Sequence, residues 1–348
     1  MSEQENISKL LENQCDRLFA NMVDARLLNA AEAGDDSEAL AAAVDELGLS
    51  LALVPESAGG SGLQWADIGG VFETIGYHAA PVLLGESIIA QWAVAIANLD
   101  VWCAGLGLAD GILRHDEKAG LSGSCVVARS KSVERIVAVA SSAMGPLLCI
   151  LDPTAGVAEE MVTIGRDPRS RVTFNGVLPL ASALYDFGGY GLEPYLAVLR
   201  AAQISGALSR MLSLSIDYGN TRVQFGRPIG KFQAIQHMIA ELAGEAAAAK
   251  AGVKLALRGF DAGNGFEPAA IAKIRASIAA GKGSAAAHAV HGAIGVTEEH
   301  MLHHYTRRAW QWRADAGDEH VWSERLGRTV LEDEGAALWP RLVALSDC

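Results

Sequence analysis

The chain changes its hydrophobic rhythm twice, and that double change limits the folds open to it. Over residues 7–99 apolar side chains recur at helical spacing. Leu10, Leu11, Leu18, Met22 and Val23 form one set, and Leu40, Val44 and Leu47 form another behind a candidate N-cap at Ser37. Gly48 stops that helix, and 55–62 is dense in helix breakers. Residues 65–75 and 87–96 predict two more helices, parted by Gly76 and Pro81. From Leu106 to about Leu180 the pattern shortens. The runs 121–127, 135–140, 146–151 and 171–177 are brief, apolar and punctuated by Gly, Pro, Asp and Asn, as buried strands are, with Asn175-Gly176 as a turn signal. From Leu192 onward long helices return. Leu196, Leu199, Ile204, Leu208, Met211, Leu212 and Ile216 make one apolar stripe, and 235–257 and 269–290 are Ala-rich enough for close helix packing. The expectation is an α+β, mostly α chain in three domains: helical over 1–105, β over 106–188, helical over 189–348.

Charge and cysteine usage narrow the function classes. Lys and Arg number 28 against 41 Asp and Glu, a formal charge of −13, which opposes a nucleic-acid partner because phosphate contacts need clustered cations. Half the residues are hydrophobic, too many for a disordered chain. The apolar stretches are broken well short of a membrane span. The first 17 residues carry Glu3, Glu5, Glu12 and Asp16 and no apolar segment of the secretory kind. Cys15, Cys103, Cys125, Cys149 and Cys348 are scattered and odd in number, the usage of a reducing compartment. A cytoplasmic location is expected.

The segment densest in chemistry is 218–236. Pro228 and its flanking glycines end one helix and start another, so Arg222, Gln224, Phe225, Arg227 and Gln236 gather at a corner. Two forked guanidinium groups there could hold a pyrophosphate while Phe225 stacks on a flat ring. The plainer alternative is an arginine complementing a helix C-terminus, with Phe225 in the core. Glu299, His300, His303 and His304 fall at helical spacing, yet no Cys or second acidic cluster supports a metal, and none is expected. Trp310, Trp312 and Trp322, interleaved with arginines, suggest a cation–π-laced subunit interface.

The run Arg222-x-Gln-Phe-Gly-x-Pro-Ile-x-x-Phe-Gln-x-x-Gln236 resembles the helical-domain signature of the acyl-CoA dehydrogenase family. Other elements follow in that family's order: the 55–62 loop, Gly76-x-x-x-Ala-Pro81, the strand-like 171–177, and a late glycine motif from His291 to His300. The resemblance implies an N-terminal helical domain, a middle β-domain and a C-terminal four-helix-bundle domain, assembled as a tetramer with FAD at subunit interfaces. It implies that Arg222, Gln224, Phe225, Gln236, His291, Gly292 and Gly295 bind FAD, the corner meeting the cofactor of the neighbouring subunit. It also implies acyl-CoA as substrate and an electron-transfer flavoprotein as acceptor.

The departures are as informative. Ala289 and Ala293 replace the late motif's usual Gln and second Gly. The loop over the flavin reads as a shortened 109–120. The strand that packs on the flavin ring reads Gly123-Ser-Cys-Val-Val-Ala-Arg129, without its aromatic and hydroxyl residues. No base is evident. Counting back from Arg222 along the helix lands on Leu196, with Glu193 nearly a turn away, while the C-terminal alternative offers Asp315, Asp318 or Glu319. These departures suggest one half of an α2β2 dehydrogenase acting on bulky, steroid-like thioesters, this chain supplying the adenosine side of a shared FAD. The alternatives are a homotetramer with its own base in 315–319, or a flavin-free structural subunit.

Overall fold

The computed structural model describes residues 3–35, 38–100 and 105–332, with 339, 340 and 343; the N-cap expected at Ser37 lies outside them. Helices α1 (Glu3–Met22), α2 (Ala25–Glu32), α3 (Glu38–Glu46), α4 (Trp65–His78) and α5 (Leu84–Ile96) come first. Their starts are chemically marked. Asp24 accepts the Leu27 amide at 2.8 Å, and at the start of α4 Asp67 accepts the amide of Gln64 at 3.0 Å.

Strands β1 (Leu106–Asp116), β2 (Gly120–Ala128), β3 (Arg135–Ser142), β4 (Gly145–Leu151), β5 (Val157–Glu160), β6 (Arg169–Val177) and β7 (Ala181–Leu184) form one sheet in the order β5-β6-β2-β1-β3-β4-β7. The β1–β3 pair is parallel and its other pairs are antiparallel. Period-2 alternation divides the sheet between two cores. Val137, Leu148 and Ile150 pack with the helices, whereas Ile136, Ala138, Cys149 and Leu151 pack among the strands.

Two expectations need correction, and two strands were not expected. The supposed 109–120 loop is mostly strand β1, whose Asp116 turns the chain by accepting the amides of Lys118 and Ala119. Asn175-Gly176 is a bulge within β6, not a hairpin: the register against β2 shifts between Leu121 and Gly123, and Gly176 takes φ 67°. Edge strands β5 and β7 carry no strong apolar alternation, and β5 is wholly exposed, so pattern reading passed over them.

The chain then forms α6 (Glu193–Thr221), a small hairpin of β8 (Val223–Gln224) and β9 (Arg227–Pro228), α7 (Gln233–Asp261), α8 (Phe266–His291), α9 (Leu302–Ala314) and α10 (Glu319–Glu332). Where α4 crosses α6 the backbones touch. A Cβ on Gly76 would lie 2.0 Å from the Gln203 carbonyl oxygen, and one on Gly206 1.9 Å from that of Glu73. Only glycine allows this crossing. The apolar stripe of α6 is buried through Leu208 and Met211, but Ile216 is exposed, because the helix leaves the core as it approaches the hairpin.

Candidate functional site: an outward hairpin and a closed junction

Arg222 ends α6 in an extended conformation, its amide donating to Tyr218 O and its carbonyl accepting from Ile229 N, each at 2.9 Å. The chain reverses over Phe225 (φ 51°) and Gly226 (φ 79°), the two positive φ values of a type I′ turn. Phenylalanine in the left-handed region is strained by about 1 kcal/mol, yet the turn presents its ring 91% exposed. Phe225 meets Phe232 edge-on at 6.1 Å, and the Arg227 guanidinium lies over the Phe232 ring at 4.2 Å. Arg227 therefore braces the turn. Arg222 and Gln224 remain exposed, and Gln236 Nε2 donates to Gly230 O at 2.9 Å, tying the first turn of α7 to the corner.

The late motif lies against the same helix end. His291, buried, stacks on Tyr218 at 4.8 Å and meets His300 at 4.6 Å. Burial lowers the His291 pKa, opposed by the carbonyls of Ala287 and Leu214, so the ring is neutral at pH 7. Gly292 ends α8 with φ 64° and open space where a Cβ would stand, leaving backbone accessible. Gly295 faces inward instead, with a Cβ position 3.0 Å from His291 Cβ and Leu302 Cδ2. The fold thus joins Arg222, Tyr218 and His291 at one end of the bundle, with Phe225 reaching away from it.

The acidic candidates near the C-terminus are spent on structure. Asp315 is buried; its Oδ1 accepts from Arg169 at 2.6 Å and Gln311 at 2.8 Å, and its Oδ2 faces Arg200 Nε at 3.3 Å. Burial raises its pKa, but Arg169 and Arg200 outweigh that and hold the carboxyl below its ordinary value. Asp318 caps α10 by accepting from the amides of His320 and Val321 at 3.0 Å. Glu319 pairs with Arg313, whose hydrogen bond lowers its pKa. Glu193 pairs with Arg325 at 2.7 Å. Leu196 and Glu193 both border an open cleft of about 900 Å³ between the sheet and α6.

Asp315 belongs to a wider cluster of charges that sequence reading missed. Arg200 pairs with Glu86 at 2.8 Å, Arg129 with Asp167 at 3.3 Å, and Arg308 donates to Ala79 O. Lys273 donates to the carbonyls of Trp312 and Arg313, and burial drives its pKa down to about 7 against the pull of Asp315. The sequence did hold a signal, since Arg200 is a single charge inside an apolar helical run.

The tryptophans also read differently. Arg313 lies over Trp310 and Arg325 over Trp322 within this chain, and Trp312 and Trp322 are core residues. His304 is committed to Glu32 at 2.5 Å and His303 to the His300 carbonyl at 2.7 Å. Among the described residues no helix is long and apolar enough to cross a membrane.

The comparisons with known proteins agree with this architecture. The acyl-CoA dehydrogenase C-terminal domain matches residues 195–331. Acyl-CoA dehydrogenase IpdE2 of Mycobacterium tuberculosis is 30% identical over 296 residues, spanning 82% of this chain and 84% of its own. IpdE2 of Mycolicibacterium smegmatis is 31% identical over 266 residues, spanning 76% and 79%. The chain belongs to the acyl-CoA dehydrogenase family, whose enzymes are FAD-dependent oxidoreductases acting on acyl-CoA thioesters. A Tcur3481–Tcur3483 steroid ACAD variant shares the fold with a TM-score of 0.85 at 24% identity, covering 96% of this chain and all (100%) of its own. The ChsE4–ChsE5 complex from Mycobacterium tuberculosis shares it at 0.82 and 19%, covering 95% and 98%.

The fit to FAD differs between the two regions. The hairpin suits it: Arg222 offers exposed forked donors for a diphosphate, and Phe225 offers a flat face that this chain does not cover. The wall expected to meet the flavin ring is closed at its Ala128 end and open where Asp110 borders the 900 Å³ cleft. Val126 opposes Asp110, whose Oδ2 accepts the Ala316 amide at 2.9 Å, and Ala128 opposes Arg169, which holds Asp315. The sheet face is thereby fastened to the 315–316 turn. The cavity beside Ala128 and Arg129 measures about 20 Å³. That is room for about one water and not for three fused rings.

Proposed function

We propose that this chain is one of two unlike subunits of an FAD-dependent acyl-CoA dehydrogenase that introduces an α,β double bond into a bulky, steroid-like acyl-CoA. FAD, when bound, accepts the hydride from the β-carbon. This chain's part is to hold the adenosine and diphosphate side of a cofactor shared with the partner. Arg222 pairs with diphosphate oxygens, Phe225 stacks on a ring, and Gly292 admits backbone close to the cofactor. Gln224 and His291 complete that end of the site, and Gln236 and Gly295 keep its framework in shape. The proton-abstracting carboxylate belongs to the other subunit in this reading, because Asp315, Asp318 and Glu319 are all engaged within this chain. An electron-transfer flavoprotein takes the electrons onward, and the assembly works in the cytoplasm.

The observation that carries the reading is the contrast between an exposed, strained Phe225 and acids at 315–319 that are all engaged within this chain. A self-sufficient homotetramer needs a carboxylate of its own free to take a proton, and a purely structural subunit has no use for a strained exposed aromatic. The relatives named for a steroid ACAD and for a ChsE4–ChsE5 complex support the two-chain form and the bulky acyl group. Flavin absorbance is the test. Expressed alone, the chain should be colourless; co-expressed with a second family member, the assembly should carry half a flavin per chain. Full occupancy of the lone chain, with turnover of a fatty acyl-CoA, overturns the proposal.

A further inference from the structure

Apart from the hairpin and the closed junction, a cavity of about 660 Å³ opens where α5, the 185–190 segment, the start of α6 and the α7–α8 corner meet. Its size lies within the range of small-molecule pockets. Its walls are unlike the rest of the molecule. Seven lining residues are aromatic, in a chain that has only 7 Trp, 6 Tyr and 8 Phe. Trp92 and Tyr195 form one side with ring centroids 4.7 Å apart, and Tyr195 continues to Phe260 at 4.4 Å. Tyr185 and Phe187, 4.6 Å apart, close the other side. Charged side chains stay few: Asp186 and Glu267.

The last wall is a stacked pair. Tyr190 lies on Phe266 at 4.0 Å with an interplanar angle of 13°, and this pair borders both the aromatic cavity and the 900 Å³ cleft beside Leu196. Tyr190 is 46% exposed and sits between Gly188, Gly189 and Gly191, all at positive φ. Phe266 is anchored at the start of α8 and buried. The partition is thus one fixed ring and one ring on a glycine-rich segment with little side-chain packing to hold it.

We propose that this cavity binds a flat, multi-ring hydrophobic group, and that Tyr190 stacks on that group or swings aside to let it pass into the neighbouring cleft. Aromatic walls favour such a ligand because offset stacking adds to area burial, and a lone alkyl chain gains nothing from it. Two sources share this chemistry, a free ring compound and the ring-bearing acyl part of a CoA thioester. The second rests on the proposed function; the first does not.

Progesterone, a flat ketone of four fused rings, serves as probe with the co-expressed assembly, read by tryptophan fluorescence without flavin turnover. Saturable quenching is expected, lost as a signal in Trp92→Phe. Binding should weaken by about tenfold in Tyr190→Ala, the loss of one stacked aromatic pair. Because Tyr190 is half exposed, that variant keeps its fold. Phe266→Leu should weaken binding similarly. Competition by a ring-bearing acyl-CoA, with none by propionyl-CoA, assigns the site to the substrate's acyl group; no competition by either assigns it to a free ring compound. Absent saturable quenching, or equal affinity in wild type and both variants, overturns the proposal whether or not the assembly binds FAD.

Discussion

At the 225–226 turn an aromatic side chain stands 91% exposed on a two-residue loop in the left-handed region. At the sheet–helix junction Arg129, Arg169, Arg200, Lys273 and Arg308 are all buried, with Glu86 and Asp315 buried among them. The first region gives up local stability to present a group outward. The second takes charges out of water and must pair them well, or it costs several kcal/mol per ion. Both depart from what a sequence optimised for stability would choose, but for different ends. The hairpin's strain presents a ring that Phe232 meets at its edge and that otherwise faces outward, as a contact beyond this chain would require. The junction's cost is offset in part by ion pairs that fasten sheet to helices, while Arg308 Nε and Glu86 Oε2 stay without a hydrogen-bond partner.

That contrast can be broken by mutation, most severely at the junction. Asp315→Ala leaves Arg169 and Arg200 without their shared carboxylate and is expected to destabilise by about 3–5 kcal/mol, measured by urea unfolding. A loss under about 1 kcal/mol would show that water readily replaces the carboxylate. Arg222→Ala acts in the opposite manner. It should lower FAD occupancy of the co-expressed assembly by about tenfold or more, the worth of a charge-assisted hydrogen bond. The chain's own unfolding should stay within about 0.5 kcal/mol; unchanged occupancy removes Arg222 from the site.

Lys273 sharpens the comparison through pH. Its native pKa is about 7, below the unfolded value of about 10.4. Between those values the unfolded chain binds the extra proton, so this group makes stability rise with pH across that window, with a constant burial cost below it. Replacing it in Lys273→Met should flatten the slope of unfolding free energy between pH 7 and pH 9, and an unaltered slope means the buried amine stays charged. The smallest effect is at the turn. Phe225→Gly relieves the left-handed strain but adds unfolded-state freedom, for a net gain below about 1 kcal/mol. Thermal melting checks it, alongside a fall in flavin occupancy.

Much of this was legible in the chain itself. Helix positions followed from 3.6-residue spacing and breakers, and the central strands from short apolar runs, because both signals are local. The corner was legible because a two-residue turn, a proline and the next helix start lie within a few residues of one another. The edge strands were not, since an exposed strand beside a sheet has no need of apolar alternation. The acids at 315–319 were misleading for a related reason: an acidic stretch looks solvated in sequence, and its partners are distant. Asp315 meets Arg169 across 146 residues of sequence and Arg200 from another helix.

The sequence by itself therefore determined the helical, β, helical order and the placing of Arg222, Phe225 and Gln236 at a corner, because those depend on neighbours a few residues away. Only the tertiary structure decided that Phe225 faces outward, that Asp315 is an ion-pair partner, and that aromatic residues from α5, α6, α7 and α8 share one cavity. Such outcomes depend on which distant side chains share a low-dielectric space, and no local pattern encodes that.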